Sequence, residues 1–296
     1  MLISFLKSIL ATSVLGISLF SFASEKTIST VHPQLKLLVD EALSDLKLKD
    51  YQSQNLISIQ GDPHHFEPPL SSIKKVLASK NLVAPPYEVF PWMKSIEIKR
   101  KRDSKLKSLG LEKSFNERLP KYRKLYPTMN DHQLAHFWLI PEVGCDFYNE
   151  IINFLNSSNK DSSTKCPYQI DTLKKRIKNI LSNKNFTLIL THDAVYPLLS
   201  HFSWNHTLVI KESHHGNQVR ATDLKTLYKL THKKSSKPIV WILEKNMPLS
   251  ARIRRRIKEA DIILKVDSPG LKSKQASQTL NTTLIKLAKA LETHGK

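Results

Sequence analysis

The first third of the chain alternates short apolar runs with segments whose apolar residues recur every three or four positions. The short runs predict buried strands, and the spacing of three and four predicts amphipathic helices. The strands are predicted at residues 26–31, 56–60 and 81–84, and the helices at residues 35–46 and from a cap at Ser71 or Ser72. This order predicts a mostly parallel sheet with helices on its faces.

The last third of the chain repeats the alternation. Strands are predicted at residues 186–190, 207–210, 239–243 and 261–266, and helices at residues 223–231, 250–260 and 276–291. The middle is different, because residues 97–126 are basic and weakly periodic, which predicts an exposed helical segment. A polar loop follows at residues 157–164, and apolar residues from Ile170 to Leu181 form one helical stripe.

Together these patterns predict an α/β fold with two β/α lobes, each built on a mostly parallel sheet and joined by a long helix. The N-terminal lobe is predicted at residues 24–167, the connecting helix at 168–184 and the C-terminal lobe at 185–296. Ligands of open parallel sheets bind outside the carboxyl ends of the strands. We therefore expect the binding site in a cleft between the lobes.

The N-terminus has the pattern of an export signal. A positive charge at Lys7 precedes an apolar run over residues 9–20, and small residues ending at Ala23 indicate a cleavage site. The apolar run is too short for a membrane span, and no cysteine near Ala23 is available for a lipid. We expect a signal peptide over residues 1–23 and a periplasmic protein that is not lipid-anchored.

Cys145 and Cys166 are the two cysteines of the chain. In an oxidising compartment a disulfide between them would stabilise the fold by roughly 3 kcal/mol. Two free, buried thiols are an equal alternative at this stage, because the sequence does not show whether the geometry suits a bond.

The chain is strongly basic, with 46 Lys and Arg against 26 Asp and Glu and a formal net charge of +20. The excess is concentrated at residues 94–124, which hold twelve basic and four acidic residues. Basic surfaces suit nucleic acids, but an exported protein does not meet them, so we expect no nucleic-acid partner and a solvated or membrane-proximal face. A positive field repels divalent cations at long range, so a metal site must depend on local coordination.

Three histidines follow hydrophobic runs and have rigid or aromatic neighbours: His64 behind Pro63, His136 near Trp138, and His192 after a predicted strand. Three imidazoles and one oxygen form a tetrahedral zinc site, and the oxygen could come from Asp267, Glu244 or water. For His65, His214 and His215, assistance in metal capture at the rim is the less favoured of two alternatives. Surface or ordinary hydrogen-bonding roles are predicted for His32, His132, His201, His206 and His232.

The sequence lacks the common catalytic motifs, including the GxSxG elbow, HExxH, the Walker loop and GxGxxG. With seven glycines in the whole chain, glycine-rich phosphate cradles are excluded. A hydrolytic zinc enzyme would also need a general base near the metal. Glu67, Glu142 and Glu244 are the candidates, and none of them has a diagnostic spacing.

The histidine motifs resemble those of the zinc- and manganese-binding solute-binding proteins of ABC transporters. The segment GDPHHFEPP at residues 61–69 is similar to the family loop G-x-x-P-H-x-x-E-P, and HFWLIP at 136–141 is similar to H-x-W-L-x-P. THDAVYPLLSHFSW at 191–204 resembles the H-D-A-aromatic segment, and ILKVDSPG at 263–270 resembles the closing segment. The resemblance covers nearly the whole chain after residue 23.

This resemblance implies a two-lobed protein with a metal cleft whose ligands are His64, His136, His192 and Asp267. A histidine at position 192 matches the zinc-binding members, since manganese-binding members tend to carry glutamate there, in agreement with ligand softness. The chain departs from the family pattern at Ile140, where an aspartate is usual.

We therefore expect a monomeric periplasmic protein, not an enzyme, that captures Zn²⁺ as a transported ligand and delivers it to an ABC transporter permease. Mn²⁺ and Fe²⁺ rank below zinc as ligands. Two alternatives stay open: a degenerate, metal-free interaction protein of the same fold, and a secreted zinc hydrolase, which ranks lower.

Overall fold

A computed structural model describes most of the chain from residue 26 onwards. The described residues are 26–58, 66–156, 165–168, 175, 179, 187–191, 196–197, 207–210, 212–213, 218–219, 221–232, 239–245, 249–266, 274–276 and 278–293. None of the helices in this part of the chain combines the length and the apolar character that crossing a membrane requires. The predicted signal peptide over residues 1–23 lies outside the described residues.

The first sheet has four strands, all parallel, in the order β2-β1-β3-β4. They are β1 (Thr27–Thr30), β2 (Gln52–Asn55), β3 (Asn81–Ala84) and β4 (Lys107–Gly110). The central strand β1 is buried along its whole length, whereas the edge strand β2 is exposed or half-buried. This is the parallel sheet that the first half of the sequence predicts.

Six helices of the described residues accompany this sheet. They are α1 (Pro33–Asp45), α2 (Leu70–Ala78), α3 (Met93–Arg100), α4 (Leu111–Leu125), α5 (Asp131–Leu134) and α6 (Pro141–Leu155). Helices α1 and α6 each begin with a proline in the first turn, where its missing N–H costs no hydrogen bond. The face of α1 that carries Leu35, Leu38 and Ala42 is fully buried, as its spacing predicts.

The structure corrects the sequence prediction at three places in this lobe. The strand predicted at 56–60 lies earlier, at Gln52–Asn55, because an edge strand needs no apolar alternation. The N-cap of α2 is Pro69, two or three positions before the predicted serines. The segment 97–126 is not one exposed helical run: it contains β4, which adds the fourth strand.

The second sheet is also four-stranded and parallel, in the order β10-β9-β5-β6. Its strands are β5 (Thr187–Leu190), β6 (Thr207–Val209), β9 (Ile239–Glu244) and β10 (Ile262–Val266), and a two-stranded hairpin is formed by β7 (Glu212–Ser213) and β8 (Gln218–Val219). The helices are α7 (Ala221–His232), α8 (Ala251–Arg254) and α9 (Gln278–Thr293). All four predicted strands are confirmed, and the helix predicted over 250–260 is shortened to α8.

The described residues form two hydrophobic clusters: the smaller one, which includes Ile189 and Trp241, belongs to the second lobe alone, and the larger one joins the two sheets. The larger cluster contains Leu35 and Val83 from the first lobe together with Leu190, Ile242 and Leu284 from the second. The connecting helix predicted at 168–184 falls almost wholly outside the described residues. The predicted α/β class with two parallel-sheet lobes is confirmed.

Cys145 and Cys166 form a disulfide, with their Cα atoms 5.3 Å apart, which decides between the two alternatives left by the sequence. The bond attaches α6 to the segment that carries Tyr168. A Cβ atom at Gly144 would lie 2.5 Å from Cε2 of Tyr168 and 2.9 Å from the Phe137 carbonyl oxygen. The glycine is therefore required for this close approach of α6 and the tyrosine ring.

Candidate metal centre

Of the four residues predicted as the ligand set, His64, His136, His192 and Asp267, the structure describes His136. It lies two residues after the short helix α5, which is held at its start by a capping box between Asn130 and Gln133. The histidine side chain is almost fully buried, with 1% of its surface exposed. A buried imidazole in a loop requires fixed hydrogen-bond partners, and the local fold supplies one of them.

The Nδ1 atom of His136 lies 2.9 Å from the backbone carbonyl oxygen of His132 and 3.3 Å from that of Gln133. Carbonyl oxygens only accept hydrogen bonds, so Nδ1 carries the proton and donates it. In the neutral imidazole the lone pair is then on Nε2. This is the arrangement found in metal-ligating histidines, where a hydrogen bond at one ring nitrogen sets the other nitrogen as the donor to the metal.

An aromatic cluster fixes the plane of the His136 ring. The rings of Trp138 and His132 each meet it edge to face, with centroids 5.1 and 5.3 Å apart, and Trp138 also stacks on His32 at 4.5 Å. Phe137 contacts both Trp138 and His32. Such ring contacts restrict the rotation of the His136 side chain without a bound metal.

The sequence predicts an ordinary hydrogen-bonding or surface role for His32, and the structure shows a fully buried side chain. Its Nδ1 accepts a hydrogen bond from the backbone N–H of Gln34 at 3.2 Å, so it is the N-cap of α1. The tautomer is therefore the opposite of that of His136, with the lone pair of Nδ1 already used. His32 supports the ring of Trp138, and its position at the carboxyl end of β1 is the sequence signal that indicates this site.

Two other predicted ligands closely follow strands of the second sheet in the sequence: His192 comes after Thr191, and Asp267 comes after Val266. Thr191 follows β5 directly, and its N–H donates to the Ile242 carbonyl at 3.2 Å. Glu244 ends β9 and pairs in register with Val266, which ends β10. The carboxyl ends of β5, β9 and β10 therefore meet at one edge of the sheet, where parallel sheets bind ligands.

His64, His192 and Asp267 themselves lie outside the described residues, as do His65, His214, His215, His201 and His206. Within the described part of the chain, no group of three or more His, Cys, Asp or Glu side chains is arranged to hold a metal ion. The four-ligand set therefore stays a prediction, to which the structure contributes the geometry of His136.

The proposed hydrolytic bases have different surroundings. Glu67 is exposed. Glu142 accepts a hydrogen bond from the Tyr126 hydroxyl, and burial together with this carboxylate raises the pKa of Tyr126. Only the backbone position of Glu244, at the end of β9, is described.

No protein-family model matches the chain, and a search of curated proteins finds no relative. Solved structures do match. The laminin-binding protein Lmb of Streptococcus agalactiae, described as an adhesin with metal-transporting activity, has a TM-score of 0.65 at 15% identity and covers 90% of this chain and 99% of its own. The chain has the fold of these metal-binding proteins.

Two further structures share this fold. The zinc-bound ZnuA-like domain of Streptococcus pneumoniae AdcA has a TM-score of 0.59 at 15% identity, with 90% of this chain and 98% of the domain covered. The Pseudomonas aeruginosa SBP FpvC, solved with Mn²⁺, has a TM-score of 0.62 at 15% identity and covers 91% and 99%. The same two-lobed architecture therefore occurs with either metal.

Proposed function

We propose that this protein is a solute-binding protein that captures a divalent metal between its lobes and delivers it to an ABC transporter permease. The observation that carries the proposal is the His136 imidazole, buried and held through Nδ1 by the His132 carbonyl oxygen. Its Nε2 lone pair is thereby oriented as a ligand, in a fold whose solved examples bind Zn²⁺ or Mn²⁺.

We propose His64, His136, His192 and Asp267 as the ligand set, and zinc as the preferred metal. Three imidazoles with one carboxylate oxygen satisfy tetrahedral zinc, whereas oxygen-rich sites suit manganese better. The proposed activity is binding and release rather than catalysis. The same proposal includes a signal peptide over residues 1–23, lobes at 24–167 and 185–296, and a connecting helix at 168–184. It also includes a periplasmic location without a lipid anchor and a monomeric state.

The deciding experiment measures bound metal in the purified chain from residue 24 onwards, by elemental analysis and by competition titration with a chromophoric chelator. We expect one tightly held zinc per chain, lost in His136→Ala and in the triple variant His64→Ala/His136→Ala/His192→Ala. His232→Ala is the matched control, since it removes an exposed imidazole of the C-terminal lobe and leaves the contacts of His136 unchanged. Zinc lost from the control and retained by His136→Ala would contradict the assignment.

The same preparation separates the alternatives. If the protein does not bind zinc at micromolar concentrations, the result supports the alternative of a metal-free interaction protein with this fold. Ester or peptide turnover that a chelator abolishes would indicate a zinc hydrolase. Transport itself is tested in cells, where deletion of the gene should lower zinc uptake under zinc limitation and re-expression of the His136→Ala variant should fail to restore it.

A further inference from the structure

A second candidate binding feature lies on the C-terminal lobe, between α7 and the end of α8. It is a cavity of about 410 Å³ at the protein surface, which we call the basic pocket. Its principal lining residues are Lys225, Leu227, Tyr228, Arg252, Arg255 and Arg256. Leu227 is buried, Tyr228 is 49% exposed, and Arg252 and Arg255 are exposed. The pocket thus combines an apolar side with three guanidinium groups and an ammonium group.

Part of this pocket is already ordered by contacts among its own side chains. The ring of Tyr228 stacks on that of His232 with centroids 3.7 Å apart, and the Arg256 guanidinium lies 4.9 Å from the Tyr228 centroid. Arg256 Nη1 also lies 3.4 Å from each ring nitrogen of His232. A guanidinium stacked on an aromatic face keeps its N–H groups in a fixed fork that matches phosphate or carboxylate oxygens.

The charges of the basic pocket are not neutralised within the described part of the chain, where no ion pair includes Lys225, Arg252, Arg255 or Arg256. The basic residues of α4 behave differently. There, Arg118 contacts Glu150 at 2.6 Å, Lys121 contacts Asp146 at 2.9 Å and Arg123 contacts Asp131 at 2.6 Å.

The local composition agrees with this contrast. Residues 221–260 contain eleven Lys and Arg against three acidic residues, and one of the three, Asp223, is buried. Like charges held together without counter-charges repel one another, so an anion that binds among them gains from every one. The pocket is therefore suited to an anion, and the paired basic residues of α4 are less so.

We propose that the basic pocket binds the phosphate groups of anionic phospholipids and holds the protein at a membrane surface with α7 and α8 facing the lipid. A membrane presents many phosphates at once, so it attracts the whole excess of 46 basic over 26 acidic residues, whereas a single acidic peptide would engage only one patch. Half-exposed Tyr228 beside apolar Leu227 suits the interface between headgroups and acyl chains. This inference is independent of the metal site.

The test uses the chain from residue 24 onwards and co-sedimentation with vesicles of phosphatidylcholine, pure or with about 30 mol% phosphatidylglycerol. We expect binding to the anionic vesicles only, weakened by added salt. The variant Arg252→Gln/Arg255→Gln/Arg256→Gln should lower the partition coefficient at least about tenfold. The control Lys94→Gln/Lys99→Gln/Arg102→Gln removes the same charge from exposed positions around α3 and should lower it by about threefold or less.

Each result supports or overturns the proposal. Equal losses in the two triple variants would show that net charge, not the pocket, drives binding. Displacement from the vesicles by inorganic phosphate at constant ionic strength would show a site for free phosphate, and arginine-dependent binding of a polyglutamate peptide without vesicle binding would show a site for an acidic protein. Far-ultraviolet circular dichroism confirms folding, and Arg252→Gln alone, at an exposed position, should already reduce vesicle binding.

Discussion

Glu41 on α1 accepts a hydrogen bond from the backbone N–H of Ala276, 235 residues further along the chain, with 2.9 Å between Oε1 and the nitrogen. The bond joins the first lobe to the segment that precedes α9. The second carboxylate oxygen of Glu41 is buried without a hydrogen-bond partner among the described residues. Burial raises the pKa of Glu41, and the nearby charges of Asp45 and Asp40 act in the same direction against the opposing hydrogen bond.

This geometry predicts a pH-dependent contribution of Glu41 to stability. Because its pKa in the folded state is above the ordinary value of 4.5, the folded state binds more protons than the unfolded state between those two values. The stabilisation that the protonated carboxyl group of Glu41 contributes is therefore complete below pH 4.5. It is lost as the pH rises through the folded-state pKa of this group. Glu41→Gln keeps the acceptor without the charge, so it should raise Tm at pH 8 by roughly 1–2 °C and change it little at pH 4.

Thermal unfolding monitored across this pH range checks the Glu41 prediction. Glu67→Gln is the matched control, since it removes the same charge from an exposed position and should leave the pH profile of Tm unchanged. A Glu41→Gln profile parallel to that of the unmodified protein would show that this carboxyl group is not the source of the pH dependence.

The contact between Trp138 and His136 predicts a role for the indole in metal affinity. Trp138→Leu removes one of the two edge-to-face partners that the described residues supply to the imidazole and should weaken zinc binding about 10- to 100-fold, the usual effect of losing a group that orients a ligand. Competition titration at a temperature where the variant is folded gives the affinity.

Trp92→Leu is the control for the Trp138 substitution. Trp92 contacts Phe90, and its ring contacts among the described residues include no histidine. This variant should lose stability but keep its zinc affinity within about twofold. Equal weakening in the two variants would mean that general loosening of the lobe, and not the orientation of His136, sets the affinity.

The Cys145–Cys166 disulfide closes a loop with a sequence separation of 21. The double variant Cys145→Ser/Cys166→Ser should lose about 3 kcal/mol of unfolding free energy, because the unfolded chain regains the conformations that the cross-link removes. Urea unfolding gives the difference, and a reducing agent should bring the unmodified protein to the level of the variant. Two titratable thiols in the oxidised, denatured protein would contradict the bond.

Arg100 is predicted to be a structural residue of the first lobe, despite its place in a basic segment. Its buried guanidinium donates to the carbonyl oxygens of Val76, Ser79 and Lys107 at 2.8, 2.6 and 3.1 Å. Arg100→Lys leaves part of these acceptors without a donor and should cost about 2–3 kcal/mol in urea unfolding. Exposed Arg102→Lys should change stability by less than about 0.5 kcal/mol, and equal effects at the two positions would refute this role.

The sequence predicted the strands that are mostly apolar. Residues 81–84, 187–190 and 262–266 are apolar runs between polar or turn-forming neighbours, and all three form strands. It missed β4 (Lys107–Gly110), and it placed β2 (Gln52–Asn55) a few residues too late. Both are edge strands, whose pairing with β3 and β1 depends on the neighbouring strand rather than on their own hydrophobicity.

The two-lobed α/β architecture and the choice of His136 as a candidate ligand follow from the amino-acid sequence, because hydrophobic period and loop position are local properties of the chain. The three-dimensional structure was needed to show that His136 donates through Nδ1, that His32 is buried against Trp138, and that the two cysteines are bonded. It also shows that basic residues of α4 form ion pairs, whereas those of the basic pocket form none among the described residues. Tautomers, ring contacts and ion pairs depend on groups distant in sequence, and packing alone brings these together.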